Sequence, residues 1–265
     1  MSSSFPPSAI RRLGQNFLID PNIVRKIVAL AALRPDDDVL EIGPGRGALT
    51  HALCLAARHV TAIEVDPRLH AYLSERQSEY PRVSFVLHDA MHFPLESLKV
   101  GTIVVANLPY YLSNPLLFRL LDQGNRFPYL VLMLQDEVAD RLVARPGSPE
   151  YGVLTVMAQY RAEITKAFTV SAQCFRPRPE VASAVVLLRT KVRSEAVPVE
   201  EPHFGALVRA AFRHRRKTLV NSLRDEGYAQ PAVVKALHSL GLLSNARAEV
   251  LSVGQFVALT RELTS

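Results

Sequence analysis

Cysteine is scarce. Two residues, Cys54 and Cys174, in a chain of 265 leave no basis for a disulfide framework or a cysteine-ligated zinc site. Long apolar runs are absent as well: one of the cleanest, Ile103-Val-Val-Ala106, is far short of the ~18 residues a membrane-spanning helix needs. The opening residues, Met1-Ser-Ser-Ser-Phe-Pro-Pro7, lack the apolar core of a secretion signal. Repeats and low-complexity tracts are missing. The eight histidines are scattered, with none at a metal-ligand spacing. The expectation is a soluble protein of a reducing, cytoplasmic setting, with no membrane partner and no metal.

What is present is ordinary globular composition, 48% hydrophobic and 21% charged, which argues against a disordered chain. The length suits one large domain or a large one plus a small one. The formal net charge of +6 favours an anionic partner such as nucleic acid without naming it. That excess is local. Residues 203–224 contain Arg209, Arg213, Arg215, Arg216, Lys217 and Arg224 and no acidic residue, while the remainder of the chain balances. The run is suited to nucleic-acid phosphates, and His214 within it reads as an RNA contact or a solvated side chain.

Residues 1–13 read as an arm containing the Arg11-Arg12 pair. Asp20-Pro21 opens a helix, with Asp as N-cap and Pro in the first turn. Short apolar runs then alternate with helical stretches: strands at Val39–Ile42, Val60–Ile63, Val83–Leu87, Thr102–Ala106 and Tyr129–Leu134, with helices to about Ala57, over Pro67–Gln77, after Pro115 and from Asp136. Strands apolar on both faces and separated by helices predict a mostly parallel sheet covered on both sides. Runs near Ile164–Val170 and Ser183–Leu188 extend it as a hairpin-like edge. Ser194–Pro202 reads as a linker, and 203–265 as three or four short helices. The expected division is a catalytic domain over 1–195, with residues 1–20 as its arm, and a helical domain over 196–265.

The segment Glu41-Ile-Gly43-Pro-Gly45-Arg-Gly47 leaves the first of these strands and enters a helix. Glycines there let backbone and helix N-terminal amides approach a ligand. The spacing is G-x-G-x-G, not the dinucleotide G-x-G-x-x-G, and no Lys-Ser/Thr pair follows, which argues against a dehydrogenase and excludes a P-loop. Seventeen residues past Gly47 the next strand ends at Glu64, placed to accept from ribose hydroxyls. A negatively charged Glu41 beside the loop suits a cationic sulfonium cofactor, S-adenosyl-L-methionine, better than a pyrophosphate. Asp89, followed by Ala90, comes after the third strand and can accept from the adenine amine. Arg46 reads as a surface side chain.

Asn107-Leu108-Pro109-Tyr110 follows the fourth strand, at the sheet end where ligands bind. An adenine amine is a poor nucleophile because its lone pair is delocalised into the ring. The Asn107 side-chain oxygen and a backbone carbonyl can accept its two N–H groups and favour a pyramidal nitrogen. Pro109 fixes the turn, and Tyr110 can stack on an extruded base.

Taken together, Gly14-Gln-Asn-Phe-Leu18, Glu41-Ile-Gly-Pro-Gly45, Glu64, Asp89, Asn107-Leu-Pro-Tyr110, Phe175-Arg-Pro-Arg-Pro179-Glu-Val-Ala-Ser183 and Arg215-Arg-Lys-Thr-Leu-Val-Asn-Ser-Leu223 resemble the rRNA adenine N6-dimethyltransferases, most closely their bacterial small-subunit branch. The resemblance runs from about residue 10 to the end. It implies a Rossmann-like methyltransferase fold with a small all-helical C-terminal domain. It also implies that Asn16 and Leu18 close over the cofactor, with Gly43 and Gly45 at its methionine end, Glu64 on the ribose, and Asp89 with Ala90 at the adenine. Asn107 touches cofactor and target, Leu108, Pro109 and Tyr110 shape the base site, and Phe175 supplies a second aromatic face. Arg213, Arg215, Arg216 and Lys217 are the expected RNA contacts. The implied reaction dimethylates two adjacent adenines near the 3′ end of 16S rRNA, in an immature 30S subunit, by a monomer that releases S-adenosyl-L-homocysteine. Alternatives are a 23S rRNA methyltransferase of the antibiotic-resistance type and a 30S assembly factor with secondary methylation. Ala182 departs from the family pattern, which often has Asp there.

Overall fold

The computed structural model describes residues 6–10, 13–191, 201–214 and 216–264. Arg11-Arg12, most of the expected linker and Arg215 lie outside the described residues.

Two compact units result. The first gathers the described residues through 139 with 162–191, and the second gathers 140–161 with the described residues from 201 onward. A single boundary near 195 was the expectation from sequence. The correction comes from residues 140–161, which cluster with the C-terminal helices.

In the first unit a short strand β1 (Phe17–Leu18) leads into α1 (Pro21–Ala31). Asp20 caps α1, its carboxylate accepting from Asn22 N–H at 2.8 Å, with Pro21 in the first turn where a missing N–H does no harm. Ile23, Val24, Ile27 and Ala31 form its buried stripe. Next come β2 (Asp38–Ile42), α2 (Ala48–Ala56), β3 (His59–Glu64), α3 (Pro67–Ser74), β4 (Val83–Leu87), β5 (Ile103–Asn107), α4 (Ser113–Leu121) and β6 (Tyr129–Gln135); the boundary after residue 139 falls inside the next helix, α5 (Asp136–Val143). Asp66-Pro67 starts α3 in the way Asp20-Pro21 starts α1. α4 begins two residues ahead of Pro115, which the first helical turn tolerates.

After α6 (Val153–Arg161) the chain adds β7 (Ala162–Val170), β8 (Phe175–Arg176) and β9 (Ser183–Thr190). The sheet has seven strands in the order β4-β3-β2-β5-β6-β9-β7. β2 to β6 run parallel, and β9 and β7 complete an antiparallel edge. Leu130 to Leu134 of β6 are all buried, as befits a strand covered on both faces. The direction of winding reverses between β2 and β5, so the carboxyl ends of those two strands flank a crevice. β1 and β8 pair separately, with Leu18 opposite Phe175.

The second unit is helical: α6, α7 (Glu201–Phe212), α8 (Leu219–Asp225), α9 (Gln230–Ser239) and α10 (Val253–Thr264). Tyr160 stacks on Phe204 with centroids 4.3 Å apart, and Phe212 lies 5.7 Å from Phe256. The Tyr151 hydroxyl donates to Leu251 O at 2.7 Å, so the buried phenol keeps a partner. No helix among the described residues is long and apolar enough to cross a membrane.

Candidate active site

A cavity opens at the carboxyl ends of β2, β3, β4 and β5, all within the first unit. The glycine turn forms part of its wall. Gly43, Gly45 and Gly47 have φ of 70°, 59° and 85°, a backbone region that side-chain-bearing residues rarely adopt. Space is short as well: a Cβ on Gly45 would lie 3.0 Å from the Phe17 ring, and one on Gly47 only 2.5 Å from the Tyr80 hydroxyl.

Glu64 ends β3 and is 4% exposed. Its Oε2 accepts from Gly45 N–H at 3.2 Å and its Oε1 from Asp66 N–H at 2.9 Å. Burial raises its pKa, and the two backbone donors oppose that. The carboxylate faces the cavity with acceptor capacity left over. Glu41 differs from expectation. It lines the same cavity at 1% exposure, and neither its Oε2 nor the Thr50 hydroxyl reaches a partner with hydrogen-bond geometry among the described residues. Burial pushes its pKa to about 8; the nearby Thr50 hydroxyl opposes this and the Glu64 charge adds a smaller upward push, so burial favours the protonated form over the negative one.

Asp89 lines the cavity while also closing its own turn. Its Oδ1 accepts from Met91 N–H at 2.8 Å, and its Oδ2 lies 3.2 Å from His92 Nδ1. Ala90 is buried against the cavity, and its carbonyl accepts from the Arg119 guanidinium at 3.0 Å. Asn107 ends β5; its Nδ2 donates to Asn16 O at 3.2 Å, and its Oδ1 has no protein partner among the described residues. Leu108 is buried, its N–H held by Met133 O, and Pro109 leads into a single turn over Tyr110–Leu112. The Tyr110 hydroxyl is 2.7 Å from the buried Ser183 Oγ, which fixes the ring's tilt. Ala182 contributes its backbone: its carbonyl accepts from Asp136 N–H at 3.0 Å.

The cavity therefore brings together Asn16, Leu18, Gly43, Gly45, Glu64, Asp89, Ala90 and Asn107–Tyr110. It does not bring in Phe175. That ring is fully buried in the hydrophobic core, because β8 pairs with β1 and turns Phe175 inward among the α1, sheet and Leu18 side chains. Arg46 is also corrected. It is no free surface side chain: its guanidinium lies 4.5 Å over the Phe17 ring and donates to Pro7 O at 2.9 Å. Tyr111 and Gln15, which the sequence did not single out, both line the cavity. Only the packing of Gly14 against the Tyr111 ring and the pairing of Gln15 with Asp66 reveal them.

In the second unit the expected RNA contacts fare unequally. Arg213 forms a two-point ion pair with Glu226, at 3.0 and 3.1 Å, and Lys217 pairs with Asp225 at 2.6 Å. Arg216 is exposed beside a groove that also contains Arg247 and Ser148. Arg215 lies outside the described residues. No cluster of metal-ligating side chains occurs among the described residues.

The strand order, the glycine turn at the reversal point and the acids at successive strand ends define a Rossmann-like methyltransferase. The family model described as ribosomal RNA adenine dimethylase matches residues 8–265, and the chain belongs to that family. It is 41% identical to the ribosomal RNA small subunit methyltransferase A of Moorella thermoacetica, over 94% of this chain and 91% of the relative. Among solved structures it is similar to a dimethyladenosine transferase from Plasmodium falciparum, with TM-score 0.81, 28% identity and coverage of 92% and 95% of the two chains. The 23S rRNA methyltransferase ErmE is similar with TM-score 0.73, 28% identity and coverage of 94% and 100%.

Proposed function

We propose that this chain dimethylates N6 of two adjacent adenines near the 3′ end of 16S rRNA, acting as a cytoplasmic monomer on an immature 30S subunit. S-adenosyl-L-methionine would be the methyl donor and S-adenosyl-L-homocysteine the product. The observation that carries this reading is Asn107. Its amide nitrogen is committed to Asn16 O, so its oxygen is the acceptor left over on a side chain that lines the cavity.

The residues present fit the donor. Glu64 offers a buried carboxylate, pre-oriented by two backbone donors, that can accept from a pair of ribose hydroxyls. The buried, unpartnered Glu41 Oε2 suits a cationic group, which would draw the side chain back to its ionised form. When bound, the cofactor supplies a sulfonium whose methyl is activated for displacement without a metal.

The chain's own residues then position. Asn107 Oδ1 accepts one N–H of the target amine, and a neighbouring backbone carbonyl accepts the other, turning the nitrogen lone pair toward the methyl. Tyr110, held by Ser183, presents a ring on which an extruded adenine stacks. Catalysis on this reading is orientation and exclusion of water in an in-line displacement. The proton leaves to solvent once the amine is alkylated. After the first transfer a single N–H remains, so the site must let the methylated nitrogen rotate before the second. The helical unit, through Arg216 and its neighbours, would hold rRNA phosphates.

The second reading is methylation of 23S rRNA, which the 28% identity to ErmE raises and the 41% identity to a small-subunit methyltransferase weighs against. Methyl transfer to 30S particles and to 23S RNA, assayed in parallel, separates the two: the small-subunit reading expects label in 30S, and label only in 23S RNA overturns it. Mass spectrometry of 16S rRNA from a strain lacking the protein should show the paired dimethyladenosines gone.

A further inference from the structure

Gln15 lines the cavity, yet no step above uses it. Its carboxamide works in both directions. Oε1 accepts from Ile10 N–H at 2.7 Å, and Nε2 donates to Asp66 Oδ2 at 3.0 Å. Asp66 is 1% exposed, and its two oxygens also hold the Arg68 guanidinium at 2.7 and 3.1 Å. Its N–H is one of the two donors to Glu64. Gln15 thus ties the cavity-lining segment Gly14–Leu18 to the turn that carries the ribose-binding acid. Next to it, Asn16 O receives Asn107 Nδ2, and the Phe17 ring packs against Gly45.

Resting on the cofactor reading above, we propose that Gln15 is a positioning residue that sets how tightly the cofactor is retained, by fixing Gly14–Leu18 over Glu64. The amide accepts from Ile10 N–H and adds a donor to the Asp66 carboxylate beside the Arg68 guanidinium, so one side chain bridges the two segments. The reacting atoms are untouched, so the effect falls on cofactor affinity rather than on the chemical step.

Gln15→Glu is the incisive variant. It keeps the acceptor for Ile10 but turns a second carboxylate on the buried Asp66. Calorimetric titration of the full chain with S-adenosyl-L-homocysteine should show Kd raised by about tenfold or more. The KM for the methyl donor should rise in parallel, with kcat at saturation within about threefold of wild type. Gln15→Met, which loses both bonds without adding charge, should weaken binding less. A merely destabilising substitution would lower the melting temperature and kcat together and would not single out Kd and KM. Unchanged binding in Gln15→Glu, or a fall in kcat with Kd unchanged, overturns the proposal. Failure of the wild-type chain to bind S-adenosyl-L-homocysteine removes instead the cofactor reading beneath it.

Discussion

The carboxylates of the first unit and the cations of the second live in opposite surroundings. Glu41 and Glu64 are buried at the ends of β2 and β3, and neither forms an ion pair among the described residues. Arg213, Lys217 and Arg224 are solvated, and each already faces Asp225 or Glu226. A buried acid without a cation carries an unmet electrostatic demand that a ligand can satisfy. A surface cation already paired with a carboxylate offers less, because water and the partner share its field. The charge excess over residues 203–224 is thus partly cancelled by the next two residues in the chain, while the near-neutral first unit holds the buried acids.

Four substitutions sharpen this contrast. Glu64→Ala should have the largest effect: removing an acceptor of two ribose hydroxyls should raise the Kd for S-adenosyl-L-homocysteine roughly 100-fold. The melting temperature should fall too, since the Gly45 and Asp66 N–H groups lose their acceptor. Glu41→Gln should act through pH. The folded-state pKa of Glu41 is about 8, above its unfolded value of 4.5. The folded protein therefore holds a proton that the unfolded chain releases, and Glu41 lowers stability as pH rises between those values. The slope is at most about 1.4 kcal/mol per pH unit. Urea unfolding of the ligand-free chain at pH 5 and pH 8.5 should show Glu41→Gln gaining on wild type as pH rises, with a flat difference contradicting a neutral buried Glu41. The smallest effects belong to the second unit. Arg216→Ala should reduce the slope of log affinity for rRNA against log salt by about one. Glu226→Gln, which frees Arg213, should tighten RNA binding by less than about threefold.

The sequence made the sheet legible because its signals are local. Apolar runs of four to six residues, Asp-Pro helix starts and a glycine turn each act over a few positions, and β2 to β6 fall where they were expected. The cavity was legible for the same reason: its acids and Asn107 stand at strand ends, where topology places ligands. What escaped notice depends on partners far along the chain. Helix α6, Val-Leu-Thr-Val-Met-Ala-Gln-Tyr-Arg, carries β-branched residues and follows a Pro-Gly-Ser-Pro stretch, and its helical state accompanies packing against α7 and α10. Phe175 looked like a cavity aromatic because the pairing of β8 with β1 leaves no local signature. Arg46, Asp66 and Gln15 take their roles from contacts with the N-terminal segment that spacing cannot foresee. The pairing of Arg213 and Lys217 is not legible in the basic run itself, because their partners Glu226 and Asp225 lie just beyond its end.

The claim on which the rest depends is that Asn107 orients the target amine. Its most direct measurement is single-turnover methyl transfer to 30S subunits by Asn107→Ala at saturating methyl donor. A drop of roughly 100-fold or more is expected, the scale on which losing one oriented polar contact to a reacting group slows an enzyme. A rate near that of the wild-type chain would contradict it.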